Sequence, residues 1–180
     1  MNIPASYQLV FSAADIAKQV ARIGRDITQW ATRASGPDGA IIAVPILRGG
    51  IYFYSDLTRQ IDAAIELAPI RVRTYVPGGG LTQLPDVEIT LDGLVVENRN
   101  ILLVDDICDT GRTLKTLTAN LTALGAREVK SAVLLRRETA NAVFEPDWFG
   151  FHYSGEEYFV GYGLDDNNRA ANLPDVYVIR

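Results

Sequence analysis

Acidic side chains and a glycine lie together where a buried strand is predicted to give way to a helix. The segment Val104–Thr113 reads Val-Asp-Asp-Ile-Cys-Asp-Thr-Gly-Arg-Thr. A helix amino terminus carries free backbone N–H groups and a partial positive charge, so it suits a phosphate group. Thr110 and Thr113 add hydroxyl donors, and Gly111 lets the backbone approach an anion closely. The segment therefore predicts a phosphate-binding loop.

Asp105 and Asp106 stand at the end of the predicted strand, just before this loop. Two adjacent carboxylates can accept hydrogen bonds from vicinal sugar hydroxyls, or hold a magnesium ion through water. A plainer interpretation is that these acids cap the helix and face solvent. With Asp109, however, three acids fall within five residues, which is more than a cap needs. The pattern favours a site for ribose 5-phosphate.

The elements that must position these residues can be predicted from apolar runs. Three runs have the continuous apolar character of strands that are buried on both faces. They are Ala40–Leu47, Ile101–Val104 and Val129–Leu135. A helix is predicted after each of the first two strands, over residues 51–61 and over residues 113–124, where Gly125 closes it. Such strand-helix-strand units form right-handed crossovers in a parallel sheet, and ligands bind beyond the carboxyl ends of its strands.

The fold class that follows is α/β, an open and mostly parallel sheet with helices on both faces. A further helix is predicted near the amino end, where Ser12 and Asp15 have the spacing of a helix cap. Apolar residues then recur at helical spacing, so one stripe of this helix is expected to be buried. These residues are Ile16, Val20, Ile23, Ile27 and Trp30.

The middle of the chain predicts exposed strands. Alternating residues over Ile70–Tyr75 predict a half-exposed strand, and the glycine-rich segment 76–80 after it has few side chains to anchor it. Asp92-Gly93 lies between the strand-like segments 87–91 and 94–96, a pattern that predicts a hairpin.

The composition is typical of one globular domain, and we expect residues 1–180 to form it. Apolar residues make up 48% of the chain and charged residues 22%, which excludes a disordered protein. The 17 basic and 22 acidic side chains give a formal charge of −5, which disfavours nucleic acid or an anionic membrane as a partner. The longest apolar run, Ala40–Leu47, is far shorter than the ~20 residues that span a bilayer. A single cysteine excludes an internal disulfide, and with no visible secretory signal we expect a cytoplasmic protein.

Four segments, in order along the chain, resemble motifs of type I phosphoribosyltransferases. Residues 105–113 resemble the phosphoribosyl pyrophosphate signature, and residues 44–50 resemble the pyrophosphate loop. Residues 158–165 are similar to the base-binding segment of hypoxanthine-guanine phosphoribosyltransferases, and Thr74-Tyr75 stands where those enzymes have a Ser-Tyr pair on a mobile lid. Asp109 favours this subfamily, because the adenine, orotate and uracil enzymes usually carry a small or hydroxyl residue at that position.

The resemblance implies both a reaction and a cofactor. Ribose 5-phosphate would pass from phosphoribosyl pyrophosphate to a ring nitrogen of a 6-oxopurine (hypoxanthine, guanine or xanthine), with release of pyrophosphate. The cofactor would be Mg²⁺. The same resemblance implies small hood and lid elements beside the main sheet, and assembly into a homodimer or homotetramer.

Residue roles follow from the same resemblance. Asp109 is the expected acid-base residue near purine N7, although a helix cap is the plainer role for it. Phosphoribosyl pyrophosphate is expected to bind to Leu47, Arg48, Gly49, Asp105, Asp106, Asp109, Thr110, Gly111, Arg112 and Thr113, with a cis peptide between Leu47 and Arg48. The purine is expected to meet Arg136 at its 6-oxo group, the ring of Tyr158 and the backbone of Phe159. The expected magnesium ligands are Asp105, Asp106 and Asp165, and the lid would contain Thr74, Tyr75 and Gly78–Gly80.

The chain departs from the family pattern at three positions. Arg136 stands where a lysine is usual, Ala171 where an arginine is usual, and Asp166 where an aromatic residue is more common. Either Arg169 replaces the missing arginine from a shifted loop, or pyrophosphate binds more weakly.

Two other functions stay open on sequence alone. An RNA-binding regulator of the pyrimidine-operon type has the same fold, and it would need a basic face such as one formed by Arg71, Arg73, Arg136 and Arg137. A uracil phosphoribosyltransferase is the second, because residues 44–48 resemble its loop although residues 105–113 do not.

Cys108 and His152 are expected to have no part in catalysis. Acids flank Cys108 and disfavour its thiolate, which points to a small packing residue. His152 is the only histidine and has no partner pattern, so we expect a structural role.

Overall fold

The computed structural model describes residues 3–35, 39–68, 95–167 and 169–180, and the backbone alone of residues 71–75 and 86–90. Its elements in chain order are β1 (Tyr7–Phe11), α1 (Ala13–Ser35), β2 (Ile41–Pro45), α2 (Ile51–Thr58), β3 (Ile65–Leu67), β4 (Arg71–Tyr75), β5 (Asp86–Thr90), β6 (Asn100–Cys108), α3 (Arg112–Ala123), β7 (Glu128–Arg137), β8 (Trp148–Tyr153), β9 (Tyr158–Val160) and β10 (Val176–Ile179).

The main sheet has five strands in the order β3-β2-β6-β7-β8. Every neighbouring pair is parallel, with Pro45 opposite Val104 and Cys108 opposite Arg136. The predicted α/β fold with a parallel sheet is therefore confirmed. The carboxyl ends of β2, β6 and β7 come together at one edge of the sheet, as parallel strands require.

Helices cover both faces of this sheet, as predicted. On one face α1 and α2 share a core with the strands, and the stripe from Ile16 to Trp30 is buried in it. On the other face α3 buries Leu114, Leu117 and Leu121 against side chains such as Val44. Successive residues of each strand point to opposite faces, so both cores are filled by the same apolar runs.

Local sequence sets the ends of two helices. The Ser12 hydroxyl accepts a hydrogen bond from the Asp15 backbone N–H at 3.2 Å and donates one to the Asp15 carboxylate at 2.6 Å, as the predicted cap requires. At the end of α3, Gly125 adopts a φ of 89° and donates to the Thr122 carbonyl, and Ala126 donates to Leu121. This pair of bonds is a Schellman motif, in which glycine avoids the steric cost of a positive φ.

Two predicted boundaries move. Helix α2 ends at Thr58, before the predicted end at residue 61, because Gln60 and Ile61 donate to the carbonyls three residues back. Strand β6 continues to Cys108, so Asp105 and Asp106 lie within the strand.

The predicted hairpin pairing is wrong where the structure describes it. Residues 86–90 pair antiparallel with 71–75, and Val95 and Val96 belong to no strand. The earlier strand offers a five-residue ladder, which the three residues 94–96 cannot match. The predicted turn at Asp92-Gly93 and the glycine-rich segment 76–80 lie outside the described residues.

A second small sheet has the order β1-β10-β9 and is antiparallel. Its inward residues Phe159, Val176 and Val178 join the core on the α1 face. This sheet is the small element expected beside the main one, and it carries Tyr158 and Phe159. None of the three helices in the described part of the chain has the length and apolar character that crossing a bilayer requires.

Candidate active site

The loop after β2 packs directly against the end of β6. Its Leu47–Arg48 peptide is cis, as expected. A Cβ atom on Gly49 would clash with the Asp106 carboxylate, and one on Gly50 would lie 3.1 Å from the Cα atom of Asp105. The two glycines therefore let the backbone N–H groups of this loop approach the acid pair closely.

Asp105 and Asp106 are half-buried side chains at the end of the central strand. The Asp105 carboxylate accepts the Asp106 backbone N–H at 3.0 Å, and the Asp106 carboxylate accepts the Ile107 N–H at 2.8 Å. Burial raises the pKa of Asp105 well above its usual range, and the adjacent carboxylate of Asp106 adds to that rise. Burial also raises the pKa of Asp106. A nearby cation, or hydroxyl groups that donate hydrogen bonds, would stabilise the ionised form of these two acids.

The loop from Asp105 to Leu114 encloses a cavity of about 190 Å³ at the start of α3. Gly111 precedes the helix with a φ of 75°, and a Cβ there would lie 2.7 Å from the Phe144 carbonyl. Thr110, Arg112 and Thr113 line the cavity with the first residues of the helix. The predicted phosphate loop is therefore a concave site at a helix amino terminus.

A larger cleft of about 400 Å³ joins this loop to the loop after β2. It is lined by Arg48, Gly49, Asp106, Ile107, Asp109, Arg137, Tyr158, Phe159, Gly163, Leu164 and Asp165. A Cβ on Gly163 would clash with the Gly49 carbonyl, so the turn after β9 packs on the loop after β2. Residues from three of the four sequence motifs thus meet in one cleft.

Asp109 faces Arg137 across this cleft. The Nε group of Arg137 donates to the Asp109 Oδ1 atom at 2.6 Å, and the Asp109 side chain is 54% exposed. A carboxylate that is both exposed to the cleft and held by a cation is placed to exchange a proton with a ligand.

Arg137 is a largely buried cation with several partners. Its Nη1 group donates to the Gly155 carbonyl, and its Nη2 group donates to the Glu157 carbonyl at 3.1 Å. Its guanidinium carbon lies 4.9 Å from the centre of the Phe159 ring. The side chain is only 15% exposed.

The structure does not bring Arg136 into the cleft. Its guanidinium donates twice to the Glu145 carboxylate, at 3.0 and 2.7 Å. Neighbouring residues of a strand point to opposite faces, so an offset of one position removes the side chain from the site. Because Cys108 pairs with Arg136, the next residues along, Asp109 and Arg137, lie side by side. The sequence interpretation missed Arg137, because its place beside Asp109 depends on the register of β7 against β6.

Tyr158 and Asp165 close the opposite wall of the cleft. The Tyr158 hydroxyl donates to the Asp165 carbonyl at 2.8 Å, while 59% of the residue stays exposed. The Arg48 guanidinium lies 4.0 Å from the Asp165 carboxylate. This end of the cleft therefore combines an aromatic face with a charged pair.

The three acids expected at a magnesium ion are divided between the two cavities. Asp106 and Asp165 line the cleft, and Asp105 lines the smaller cavity. Within the described ranges, no three His, Cys, Asp or Glu side chains form a group that could hold a metal by themselves. Mg²⁺ commonly binds one or two carboxylates and takes its other ligands from water and substrate phosphates, so the acids present fit it in that way.

The remaining predicted residues lie elsewhere. The Ala171 carbonyl accepts the Gly163 N–H at 2.9 Å, and Arg169 is exposed and outside the lining of the cleft. Thr74 and Tyr75 belong to β4, whose side chains lie outside the description. Cys108 is buried, and His152 lies 3.7 Å from the Glu138 carboxylate, away from the cleft.

A further cavity of about 750 Å³ lies between α1, α2 and residues 172–174. It contains none of the predicted site residues. Its lining has only Asp56 and Arg59 as charged side chains, both exposed. The convergence of acids, glycines and a helix start instead points to the two smaller cavities as the reactive centre.

Comparison with known proteins agrees with this geometry. The phosphoribosyl transferase domain family matches residues 12–167. The chain is 30% identical over 177 residues to a hypoxanthine-guanine phosphoribosyltransferase of Aquifex aeolicus. This alignment covers 96% of this chain and 94% of the relative. It is 32% identical over 168 residues to a hypoxanthine phosphoribosyltransferase of Haemophilus influenzae, covering 92% and 90% of the two chains.

A solved structure gives the same fold. The crystal structure of a hypoxanthine phosphoribosyltransferase from Staphylococcus aureus superposes with a TM-score of 0.82 at 28% identity. The superposition covers 96% of this chain and 91% of the other.

Proposed function

The chain belongs to the phosphoribosyltransferase family, and we propose that it transfers ribose 5-phosphate from phosphoribosyl pyrophosphate to a 6-oxopurine. The observation that carries this proposal is the cleft in which Asp106, Asp109, Arg137 and Tyr158 converge beside a phosphate cavity. The named relatives act on hypoxanthine or guanine, which supports the same class of base.

The donor would span both cavities. Its 5-phosphate would lie at the start of α3, where Thr110, Gly111 and Thr113 offer backbone N–H groups and hydroxyls. The Asp105 and Asp106 carboxylates would accept hydrogen bonds from the ribose hydroxyls. The pyrophosphate group would meet the loop at Leu47, Arg48 and Gly49.

In the reaction, the bond between the anomeric carbon and the pyrophosphate oxygen breaks, and a bond from that carbon to the purine nitrogen forms. Positive charge develops on the sugar while negative charge develops on the leaving group. Preorganised N–H groups and the Arg48 guanidinium would stabilise the leaving pyrophosphate. The electron pair leaves with the pyrophosphate oxygen.

The base would stack on the Tyr158 ring, with the Phe159 backbone at its edge. Arg137 rather than Arg136 would donate to the 6-oxo group, because Arg137 is the one that lines the cleft. The lone pair of purine N9 would form the new bond to the anomeric carbon, and the Asp109 carboxylate would take the proton from N7, which leaves the base neutral. The proposed order of groups along the cleft is therefore base, sugar and pyrophosphate.

Asp106 and Asp165 are the residues of the cleft that would hold a magnesium ion, which would supply positive charge to the pyrophosphate group. Three expectations stay predictions: that Thr74 and Tyr75 belong to a lid, that the protein is cytoplasmic, and that it forms a homodimer or homotetramer. The comparisons favour neither the RNA-binding regulator nor the uracil enzyme.

The experiment that tests the proposal is the initial rate of pyrophosphate release from phosphoribosyl pyrophosphate, Mg²⁺ and hypoxanthine. A reaction without base is the control for simple hydrolysis of the donor. We expect base-dependent release with formation of the nucleoside monophosphate. Salt-sensitive RNA binding without any nucleotide formation would contradict the proposal and favour the regulator.

A further inference from the structure

We propose that Arg137 is a positioning residue that fixes the Asp109 carboxylate and the turn between β8 and β9 in one arrangement. This inference rests on the proposed function, and it assigns Arg137 a role beyond donating to the base. Four contacts carry it: hydrogen bonds to Asp109, Gly155 and Glu157, and the stacking on Phe159.

All three nitrogens of the guanidinium are engaged. Nε donates to the Asp109 carboxylate, and Nη1 and Nη2 donate to the two carbonyls of the turn. Each of these bonds leads to a different place in the fold: the loop before α3, and the two sides of the turn that leads into β9. One side chain at the end of β7 therefore connects Asp109 to the turn between β8 and β9.

The difference in exposure between the partners shows which one is held. The Asp109 side chain is 54% exposed and lies in a loop, whereas the Arg137 side chain is 15% exposed and packs on a buried ring. Phe159 is itself fixed, since Tyr153 meets its ring edge-on at 4.8 Å. The less exposed arginine therefore defines the position, and the more exposed carboxylate takes its position from it.

The turn is built to receive the guanidinium. A Cβ on Gly155 would clash with the Glu157 carboxylate and lie 2.7 Å from the Tyr153 ring, so the turn is tight. Its carbonyls at 155 and 157 both point to Arg137. A planar guanidinium matches acceptors placed around its edge, whereas a lysine offers donors from a single nitrogen.

Because lysine can donate to a base oxygen but cannot reach all these acceptors at once, the variant Arg137→Lys tests the positioning role. If Arg137 only donated to the base oxygen, the lysine ammonium would serve. If Arg137 positions Asp109, the lysine variant should lose kcat by ~10²-fold, since small displacements of reacting groups have effects of that order. The KM for phosphoribosyl pyrophosphate should stay within about twofold, because the donor contacts lie elsewhere. Arg99→Lys is the matched control, because Arg99 forms an ion pair with Glu66 at the opposite edge of the sheet.

A double-mutant cycle shows whether the effect passes through Asp109. In an Asp109→Asn background, Arg137→Lys should cause no further loss of kcat. Losses that multiply would overturn the inference, and so would a lysine variant with the kcat of the wild type.

Amide hydrogen exchange provides a readout that needs no activity. We expect faster exchange at residues 155–157 in Arg137→Lys, and also in Arg137→Gln, with unchanged exchange in the core of β6. Unchanged exchange at the turn would overturn the positioning role of Arg137 even if catalysis fell. A wild-type protein that transfers ribose 5-phosphate to no oxopurine would instead overturn the proposed function, and with it the catalytic part of this inference.

Discussion

Asp109 combines two properties that an acid-base residue needs, access to the ligand and a fixed position. Its side chain is 54% exposed and lines the cleft, and Arg137 donates to one of its oxygens at 2.6 Å. The plainer role as a helix cap is not what the structure records, since Gly111 is the N-cap residue of α3 and the Asp109 carboxylate accepts its hydrogen bond from Arg137.

Asp109→Asn should therefore remove proton transfer and leave the rest of the site in place. The amide oxygen of asparagine can still accept the Arg137 Nε–H. We expect kcat to fall by roughly 10²-fold or more, the usual scale of general acid-base catalysis. Steady-state kinetics with hypoxanthine measures this, and calorimetric titration with phosphoribosyl pyrophosphate checks that donor binding persists. A variant with unchanged turnover would show that another group moves the proton.

Cys108 lies beside the acids of the candidate site, and the reactivity of its thiol can be predicted from its burial. Burial, with the neighbouring Asp105 carboxylate, raises the pKa of the Cys108 thiol to about 11. The thiolate is the reactive form, so at pH 8 its fraction should be roughly 10²-fold below that of an exposed cysteine with a pKa of ~8.5.

We therefore expect slow alkylation by iodoacetamide at pH 8, with the rate rising as the pH approaches 11. Mass spectrometry follows the reaction cleanly because the chain has one cysteine. The same reaction in concentrated urea is the control and should be fast. Rapid alkylation of the folded protein at pH 8 would mean that the thiol is neither buried nor passive.

At the scale of elements, the site depends on how closely two loops approach the end of β6. Gly49 lies against the Asp106 carboxylate, and Gly163 lies against the Gly49 carbonyl. The loop after β2, the end of β6 and the turn after β9 thus form one packed unit, and a side chain at either glycine would separate them.

Gly49→Ala should for this reason weaken donor binding. The added methyl group has to displace the Asp106 carboxylate or the loop, so we expect the KM for phosphoribosyl pyrophosphate to rise at least ~10-fold, on the scale of 1.4 kcal/mol per tenfold change. Gly125→Ala is the matched control. Gly125 has a φ of 89° and follows the carboxyl end of α3, far from the site at the amino end of that helix. Alanine there should lower the free energy of unfolding and leave the KM for phosphoribosyl pyrophosphate unchanged.

Sequence patterns predicted the elements whose signals are local. The cap at Ser12, the stripe that follows it, and the unit from β6 to β7 were all confirmed, because apolar periodicity and caps are read over a few residues. The hairpin was wrong for Val95 and Val96, since the partner of residues 86–90 lies earlier in the chain. A turn signal cannot reveal such a distant partner.

In the candidate site, the motifs predicted the segments that meet but not the directions of their side chains. The motifs predicted which segments meet, and the loop after β2, the end of β6 and the turn after β9 do meet. They could not predict that Arg137 rather than Arg136 enters the cleft, because that depends on the register of β7 against β6. The magnesium ligands show it too, since Asp105 lines a different cavity from Asp106 and Asp165.

At the scale of the whole molecule, an acidic protein is proposed to bind a strongly anionic donor. The formal charge is −5, so attraction cannot come from the overall field. It has to come from local groups, which here are the start of α3, the loop after β2 and Arg48. Asp105 and Asp106 oppose an anion unless a cation or sugar hydroxyls face them, which is consistent with a donor that arrives with Mg²⁺.

The most direct test of the proposed function is a competition in one vessel. The wild-type protein receives limiting phosphoribosyl pyrophosphate, Mg²⁺, and equal concentrations of hypoxanthine, guanine, xanthine, adenine and uracil, and mass spectrometry identifies the nucleotides formed. We predict that the monophosphates of the oxopurines account for nearly all the product, and their proportions rank the three bases. Product dominated by the uracil or adenine nucleotide, or no nucleotide at all, would contradict the proposed function.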